Sequence, residues 1–131
     1  MNWCMMRIKE GGNASMKYKK FDVVLVDFGS NTVGSEQGGI RNAVVIQNDV
    51  GNKYSQTTIV MPFTTKLKNL SQPTHSFFKA REGNGLQKDS MLLGECMRQI
   101  SENRILRPLG HLSDASEKLE VKRVYNANWE V

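Results

Sequence analysis

The segment "NAVVIQNDVGNKYSQTTIVMPF", residues 42–63, decides how this chain folds. Two apolar, β-branched runs, "NAVVIQ" (42–47) and "TTIVMPF" (57–63), flank "NDVGNKYS", whose Asn, Asp, Gly and Ser are turn formers. The pattern predicts an antiparallel hairpin. With the turn centred between Asn52 and Lys53, cross-strand partners carry numbers that sum to 105, so Val44 faces Met61 and Ile46 faces Ile59. Continued to the open end, the same register sets Arg41 beside Thr64. A slip of one residue would part them, because successive side chains point to opposite faces of a strand. A guanidinium and a hydroxyl side by side can both donate to an anion. The residue pattern equally fits an Arg41 paired with a surface carboxylate such as Glu36 and a Thr64 that is an ordinary strand-end residue.

Working outward, "FDVVLVDF" (21–28) reads as a strand and "GSNTVGSEQGG" (29–39), with four glycines, as a long loop. Downstream, "THSFFKA" (74–80) is a strand. After the turn-forming "REGNGLQKD", the run "SMLLGECMRQI" (90–100) reads as one strand with a bulge at its internal glycine. "SENRI" (101–105) is a helical turn capped by Ser101. The tail "SDASEKLEVKRVYNANW" (113–129) is the helix, with Asp114 and Glu117 placed for a capping box. The opening "MNWCMMRIKEGGNASM" holds four of the seven methionines and has no strand or helix period. Residues 1–15 are therefore expected to be a flexible arm outside the fold, or Met16 to be the true start, and residues 16–131 to be one domain. Short strands punctuated by turns make this a mainly β protein with short helices: a small antiparallel sheet or barrel closed by a C-terminal helix.

At 131 residues the chain is one ordinary domain. Its 18 Lys and Arg against 13 Asp and Glu give a formal charge of +5, and the sequence pI is near 9.4. That balance favours a polyanionic or acidic partner. Cys4 and Cys96 form no CxxC or Cys/His cluster, which excludes a structural zinc site and a disulfide framework and points to the reducing cytoplasm. No apolar run approaches the roughly 18 residues of a membrane span. Carboxylate pairs with metal-ligand spacing, GxSxG and a Walker loop are all missing, so neither a metal nor a cofactor is expected. His75 and His111 each stand in a polar context and are expected at the surface, not in a two-histidine ribonuclease site. Cys96, in an apolar run, reads as a small core residue and not a nucleophile.

The stretches "GSEQGGIRNAVVIQND", "TTIVMPFTT", "PTHSFF", "LQKDSMLLGECMRQI" and "LGHLS", in this order from about Lys20 to Leu119, closely resemble the MazF/PemK family of toxin endoribonucleases. The resemblance implies a small SH3-like, partly open β-barrel with short helices, working as a homodimer. It also implies metal-independent cleavage of single-stranded RNA and silencing by an acidic, MazE-like antitoxin from the same operon. Carried over by the resemblance, Arg41 and Thr64 are the catalytic residues and residues 29–39 are the loop that covers the site. Glu36, Gln37 and Gly38 of that loop, together with Arg98, Lys66 and Lys68, are the candidate RNA contacts. A domain of this size is also expected to leave one sheet face free for the dimer. Departures from the family pattern are "FDVV" for "GDVY" in the first strand, Asn42 for the proline after the arginine, and Cys96 for a glutamine between Glu95 and Arg98. Two other classes share the fold: a CcdB-like gyrase poison, and a non-catalytic SH3-like binding module, against which the joint presence of Arg41 and Thr64 argues.

Overall fold

The computed structural model describes residues 18–30 and 38–129. The expected arm at residues 1–15, and Glu36 and Gln37 of the glycine-rich loop, lie outside the described residues. Among these residues, β1 (Asp22–Asp27), β2 (Ile40–Val45), β3 (Thr57–Thr64), β4 (His75–Phe78), β5 (Ser90–Leu93), β6 (Arg98–Ser101) and β7 (Ile105–His111) form one open antiparallel sheet. It runs β4-β5-β3-β2-β1-β7, with β6 also on β3. Helices α1 (Asp49–Tyr54) and α2 (Ala115–Asn126) complete it. The partly open barrel with a C-terminal helix is thus the observed architecture. No helix among the described residues is long and apolar enough to cross a membrane.

The hairpin register is the expected one: Ala43 pairs with Pro62, Val44 with Met61 and Val45 with Val60. Its connection is not a plain turn. Asn48 accepts from the Gly51 amide at 2.8 Å and caps the short helix α1, because the residue types that favour turns also satisfy the free amides of a helix start. The buried Asn52 secures it, accepting from Thr58 Oγ1 at 2.6 Å and donating to the Gln47 carbonyl at 2.9 Å.

The run 90–100 is not one bulged strand either. β5 pairs with the end of β3 (Phe63 with Leu92, Thr64 with Met91), and β6 pairs with its beginning (Val60 with Arg98). Between them the 3-10 turn Gly94–Cys96 carries the chain across, and Pro62, which has no N–H to donate, sits where β3 changes partner. A Cβ on Gly94 would stand 2.2 Å from Val124 Cγ1 and 3.0 Å from the Thr74 carbonyl oxygen. The glycine is the seat of α2 and not a bulge.

Both faces of the central strands are buried within the chain, whereas β7 and Phe77 of β4 stay exposed. Val23, Val44, Met61 and Phe63 pack against Val121 and Val124 of α2, whereas Val24, Val26, Val45 and Val60 pack with Phe28 and Ile100 on the other side. Successive residues of a strand face opposite ways, so runs such as "VVLV" and "AVV" reflect a curved sheet covered on two sides.

Ser101 caps the 3-10 turn Glu102–Arg104 as expected, accepting from the Asn103 amide. At α2 the capping box is only half made. Asp114 accepts from the Ser116 amide and hydroxyl, each at 2.7 Å, whereas the buried Glu117 turns inward and accepts from Asn84 Nδ2 at 3.2 Å. The Ser116 hydrogen bonds, helped by Arg81 at 2.8 Å, hold the Asp114 carboxyl down at about 2 from the usual 3.8. A depressed folded-state value means the cap supports the helix fully above the unfolded-state value near 3.8 and is lost as pH falls through about 2. Amide exchange in the first turn of α2 is expected to stay slow at pH 4 and to rise only toward pH 2. An Asp114 carboxyl that titrates by NMR at its ordinary value would disprove this.

Candidate active site

Arg41 and Thr64 line one hollow at the open end of the β2–β3 hairpin, just past the glycine-rich loop. The loop base is held by two backbone bonds, Phe28 N–H to the Gly39 carbonyl at 2.9 Å and Gly39 N–H to the Gly29 carbonyl at 2.8 Å. Gly39 has φ +77, a conformation that L side chains rarely adopt, so the chain turns there from loop into β2. Arg41, next but one, donates from Nε to the carbonyl of Gly38 at 2.8 Å. Gly38 thus acts through its backbone, orienting the guanidinium, and the two terminal nitrogens have no partner among the described residues.

A small hollow of about 200 Å³ opens at this point, lined by Ile40, Arg41, Asn42, Phe63, Thr64, Thr65 and Ser90. The Thr64 hydroxyl oxygen accepts from the Lys66 amide at 3.2 Å, which leaves its own proton free to donate. The hollow therefore presents a forked cation and a hydroxyl donor at one spot, the geometry that stabilises charge developing on a phosphoryl oxygen. The ion pair of Arg41 with Glu36 that the residue pattern also allowed lies outside the described residues. Among the described residues no three His, Cys, Asp or Glu side chains are grouped to hold a metal ion.

The other candidates are dispersed around this pair. Lys66 and Lys68 are exposed on the segment that leaves β3, just beyond the hollow. Arg98 is not in it. Its register partner is Val60, four residues from Thr64 and so roughly 13 Å along the strand, and its guanidinium lies 5.5 Å from the centre of the Phe28 ring. Phe28 itself anchors the loop base, so Arg98 borders the loop and not the hollow.

Two residues depart from the sequence expectation. His75 is not a surface histidine. It is 5 % exposed, with Nδ1 3.0 Å from the Asn69 carbonyl oxygen and Nε2 2.8 Å from a Glu95 carboxylate oxygen. Burial there is tolerated because both ring nitrogens are partnered. Glu95 is accordingly tied to β4. His111, by contrast, is partly exposed and pairs with Asp22 at 2.7 Å. Cys96 is half-buried in the 3-10 turn and not in the core. Burial raises its thiol pKa first, and Glu95 raises it further, while the Arg41 charge lowers it. Sequence reading also missed Asn42, Phe63 and Ser90 as lining residues. The hairpin register marks the first two as neighbours of Arg41 and Thr64, whereas Ser90 reaches the hollow through the β3–β5 pairing.

A family model described as "PemK-like, MazF-like toxin of type II toxin-antitoxin system" matches residues 19–124. Endoribonuclease EndoA of Bacillus subtilis (strain 168) is 41% identical over 99 residues, 76% of this chain and 84% of the relative. Endoribonuclease MazF of Staphylococcus saprophyticus is 43% identical over 109 residues, 83% of this chain and 86% of the relative. In three dimensions the chain is similar to a crystal structure of MazF from Deinococcus radiodurans, with a TM-score of 0.70 at 21% identity, covering 86% of this chain and 97% of that one. It is also similar to an endoribonuclease in complex with its cognate antitoxin from a mycobacterial species, with a TM-score of 0.67 at 12% identity, covering 85% and 94%. At those identities the structures speak for the fold, and the sequence match speaks for descent. The match spans the loop, the hairpin and all seven strands, so the chain belongs to the PemK-like, MazF-like toxin family of type II toxin-antitoxin systems.

Proposed function

We propose that this protein is the toxin of such a pair and an endoribonuclease that cuts single-stranded RNA at the Arg41–Thr64 hollow. The observation that carries the reading is the pairing itself: one hairpin register brings a guanidinium held at Nε and a hydroxyl with a free proton to the same small polar site. In RNA the ribose 2′-oxygen attacks its own phosphorus. A 2′-O–P bond forms as the P–5′-O bond breaks, the 2′ proton is given up, and the departing 5′ oxygen takes one. The products are a 2′,3′-cyclic phosphate and a 5′-OH end. Negative charge grows on the non-bridging oxygens, and Arg41 and Thr64 donate to it. In-line attack needs a nucleotide that can be splayed, which unpaired RNA allows. Lys66, Lys68 and Arg98, with Glu36, Gln37 and Gly38 of the loop, hold the flanking nucleotides. The working unit is a cytoplasmic homodimer, silenced by an acidic antitoxin.

Purified protein is expected to cut single-stranded RNA in excess EDTA and to leave cyclic-phosphate ends. Cleavage lost in EDTA and restored by Mg²⁺ would overturn the mechanism. RNA affinity should fall steeply with salt, because phosphate contacts release counterions. A flat response would remove Lys66, Lys68 and Arg98 from the interface. Light scattering that finds an active monomer would remove the dimer.

A further inference from the structure

The hollow of the candidate active site opens where β2 and β3 part. Their pairing ends at Ala43 with Pro62, and the residues beyond it line the gap: Ile40, Arg41 and Asn42 on one strand, Phe63, Thr64 and Thr65 on the other. Most of the polar groups there are already spoken for. Arg41 is held at Nε, the Thr64 hydroxyl takes the Lys66 amide, and the buried Ser90 gives its hydroxyl proton to the Lys88 carbonyl at 2.8 Å. Thr65 is exposed to water. Asn42 carries the one side-chain amide of the lining, is half-buried, and has no hydrogen-bond partner for that amide among the described residues. It is also a departure from the family pattern, in which a proline side chain would offer the site no hydrogen-bonding group.

The chemistry of the amide differs from that of its neighbours. Arg41 and Thr64 present donors, which suits a phosphate, because phosphate oxygens only accept. Asn42 has donors at Nδ2 and an acceptor at Oδ1, and the acceptor finds nothing to take from a phosphate. A partly buried amide without partners is unfavourable, and a ligand that sets a donor beside an acceptor removes that cost. Position points the same way. Successive side chains of a strand face opposite sides, so Asn42 lies on the side of Val44, and Arg41 on the side of Ala43 and Val45. With the phosphate held at Arg41 and Thr64, the attacking 2′-oxygen stays against its phosphorus on that side. What reaches across to Asn42 is a base.

We infer that Asn42 is a specificity-determining residue: its amide reads the edge of the unpaired base beside the scissile phosphate. Oδ1 accepts from an N–H of the base, and Nδ2 donates to the neighbouring ring nitrogen or carbonyl oxygen. This rests on the nuclease reading above. In unpaired RNA the Watson–Crick edge is open, and each base sets its donors and acceptors there in its own order. An amide held in one orientation matches one order and is left unpaired by another. Contacts to phosphate carry no such information.

The test uses the full chain and an RNA oligonucleotide with a randomised unpaired stretch, so that all sequences compete in one tube, and the cleaved ends are sequenced. For each position around the cut, the readout is the ratio of kcat/KM for the favoured base to that for the next. Asn42→Ala truncates the amide, and Asn42→Leu keeps about its volume without its hydrogen bonds. In both, the ratio at one position adjoining the cut should fall by about tenfold or more, while ratios elsewhere hold within about twofold. Thr64→Ala, which removes a donor to the phosphate, should slow all sequences alike and leave every ratio in place. Because the sequences share one enzyme, the ratios do not depend on how much of a variant is folded. Ratios that stay put in either Asn42 variant, whether or not all sequences are cut more slowly, overturn the inference. So do ratios that collapse at every position, which would make Asn42 part of the framework of the hollow. A wild type that cuts every sequence alike overturns it too and leaves the nuclease reading standing, whereas a wild type that cuts no RNA overturns the nuclease reading and this role of Asn42 with it.

Discussion

Arg41→Ala should leave a folded protein whose single-turnover cleavage of RNA is slower by at least ~10²–10³, the usual cost of removing one donor from an oxyanion site. The side chain ends a strand beside the hollow, and its one described hydrogen bond goes to the Gly38 carbonyl, which water can replace. Little stability should be lost, then, while the hollow loses the one forked cation that lines it among the described residues. Thr64→Ala should do less damage, because a neutral hydroxyl stabilises a developing charge less than a guanidinium does. Arg98→Ala should do less again, since that residue stacks on Phe28 some distance along β3 and has only flanking nucleotides to hold. Arg41→Ala with Thr64→Ala should be barely slower than Arg41→Ala alone, as groups acting on one transition state are not additive. The measurement is cleavage of a single RNA by each variant, with circular dichroism as the folding control. A folded Arg41→Ala protein that cuts at near the wild-type rate would end the assignment.

A large effect on stability should come from one methyl group. Gly94→Ala places a Cβ 2.2 Å from Val124 Cγ1 and 3.0 Å from the Thr74 carbonyl oxygen. Val124 is fully buried, and the carbonyl belongs to the backbone and accepts from Gly94 itself at 2.8 Å, so neither can swing away. Overpacking of this kind costs about 1–3 kcal/mol or more, which for a domain of this size lowers Tm by roughly 5–15 °C. Val124→Ala removes one of the two obstacles and leaves a cavity when made alone. Combined with Gly94→Ala it should recover part of the loss, because the new methyl fills space that the old one vacates. Thermal unfolding of the two single variants and the double one gives the cycle. Additive losses would mean that α2 does not sit on Gly94.

Some of this was legible in the order of residues alone. Two β-branched runs separated by a short polar link must pair if they pair at all, and buried faces forbid a slip by one residue. Val44 against Met61 followed from counting along the hairpin, and the same count pointed to Arg41 and Thr64, which line one hollow. Ser101 and Asp114 were readable as caps because a cap acts within three residues of itself. The polar link concealed a helix, since Asn48 and Asp49 favour a turn and a helix start for the same reason.

Elsewhere the outcome belonged to surfaces far apart in the chain. β7, "ILRPLGH", contains a proline and a glycine and shows no alternation; it is a strand because β1 offers it an edge to pair with. His75 looks like any polar-context histidine until it meets Glu95, 20 residues on, and the Asn69 carbonyl in the interior. Gly94 marks an interruption in any reading, yet only α2 lying on it tells a helix seat from a bulge. Lys20, Lys118 and Lys122 are unremarkable singly and come together around one groove only when α2 crosses the sheet beside Lys20. Backbone pairing between neighbouring segments is set by local alternation and turn chemistry, which residue order records. Burial, close approach and the gathering of charge depend on which distant faces meet, and those are settled by packing the whole chain at once.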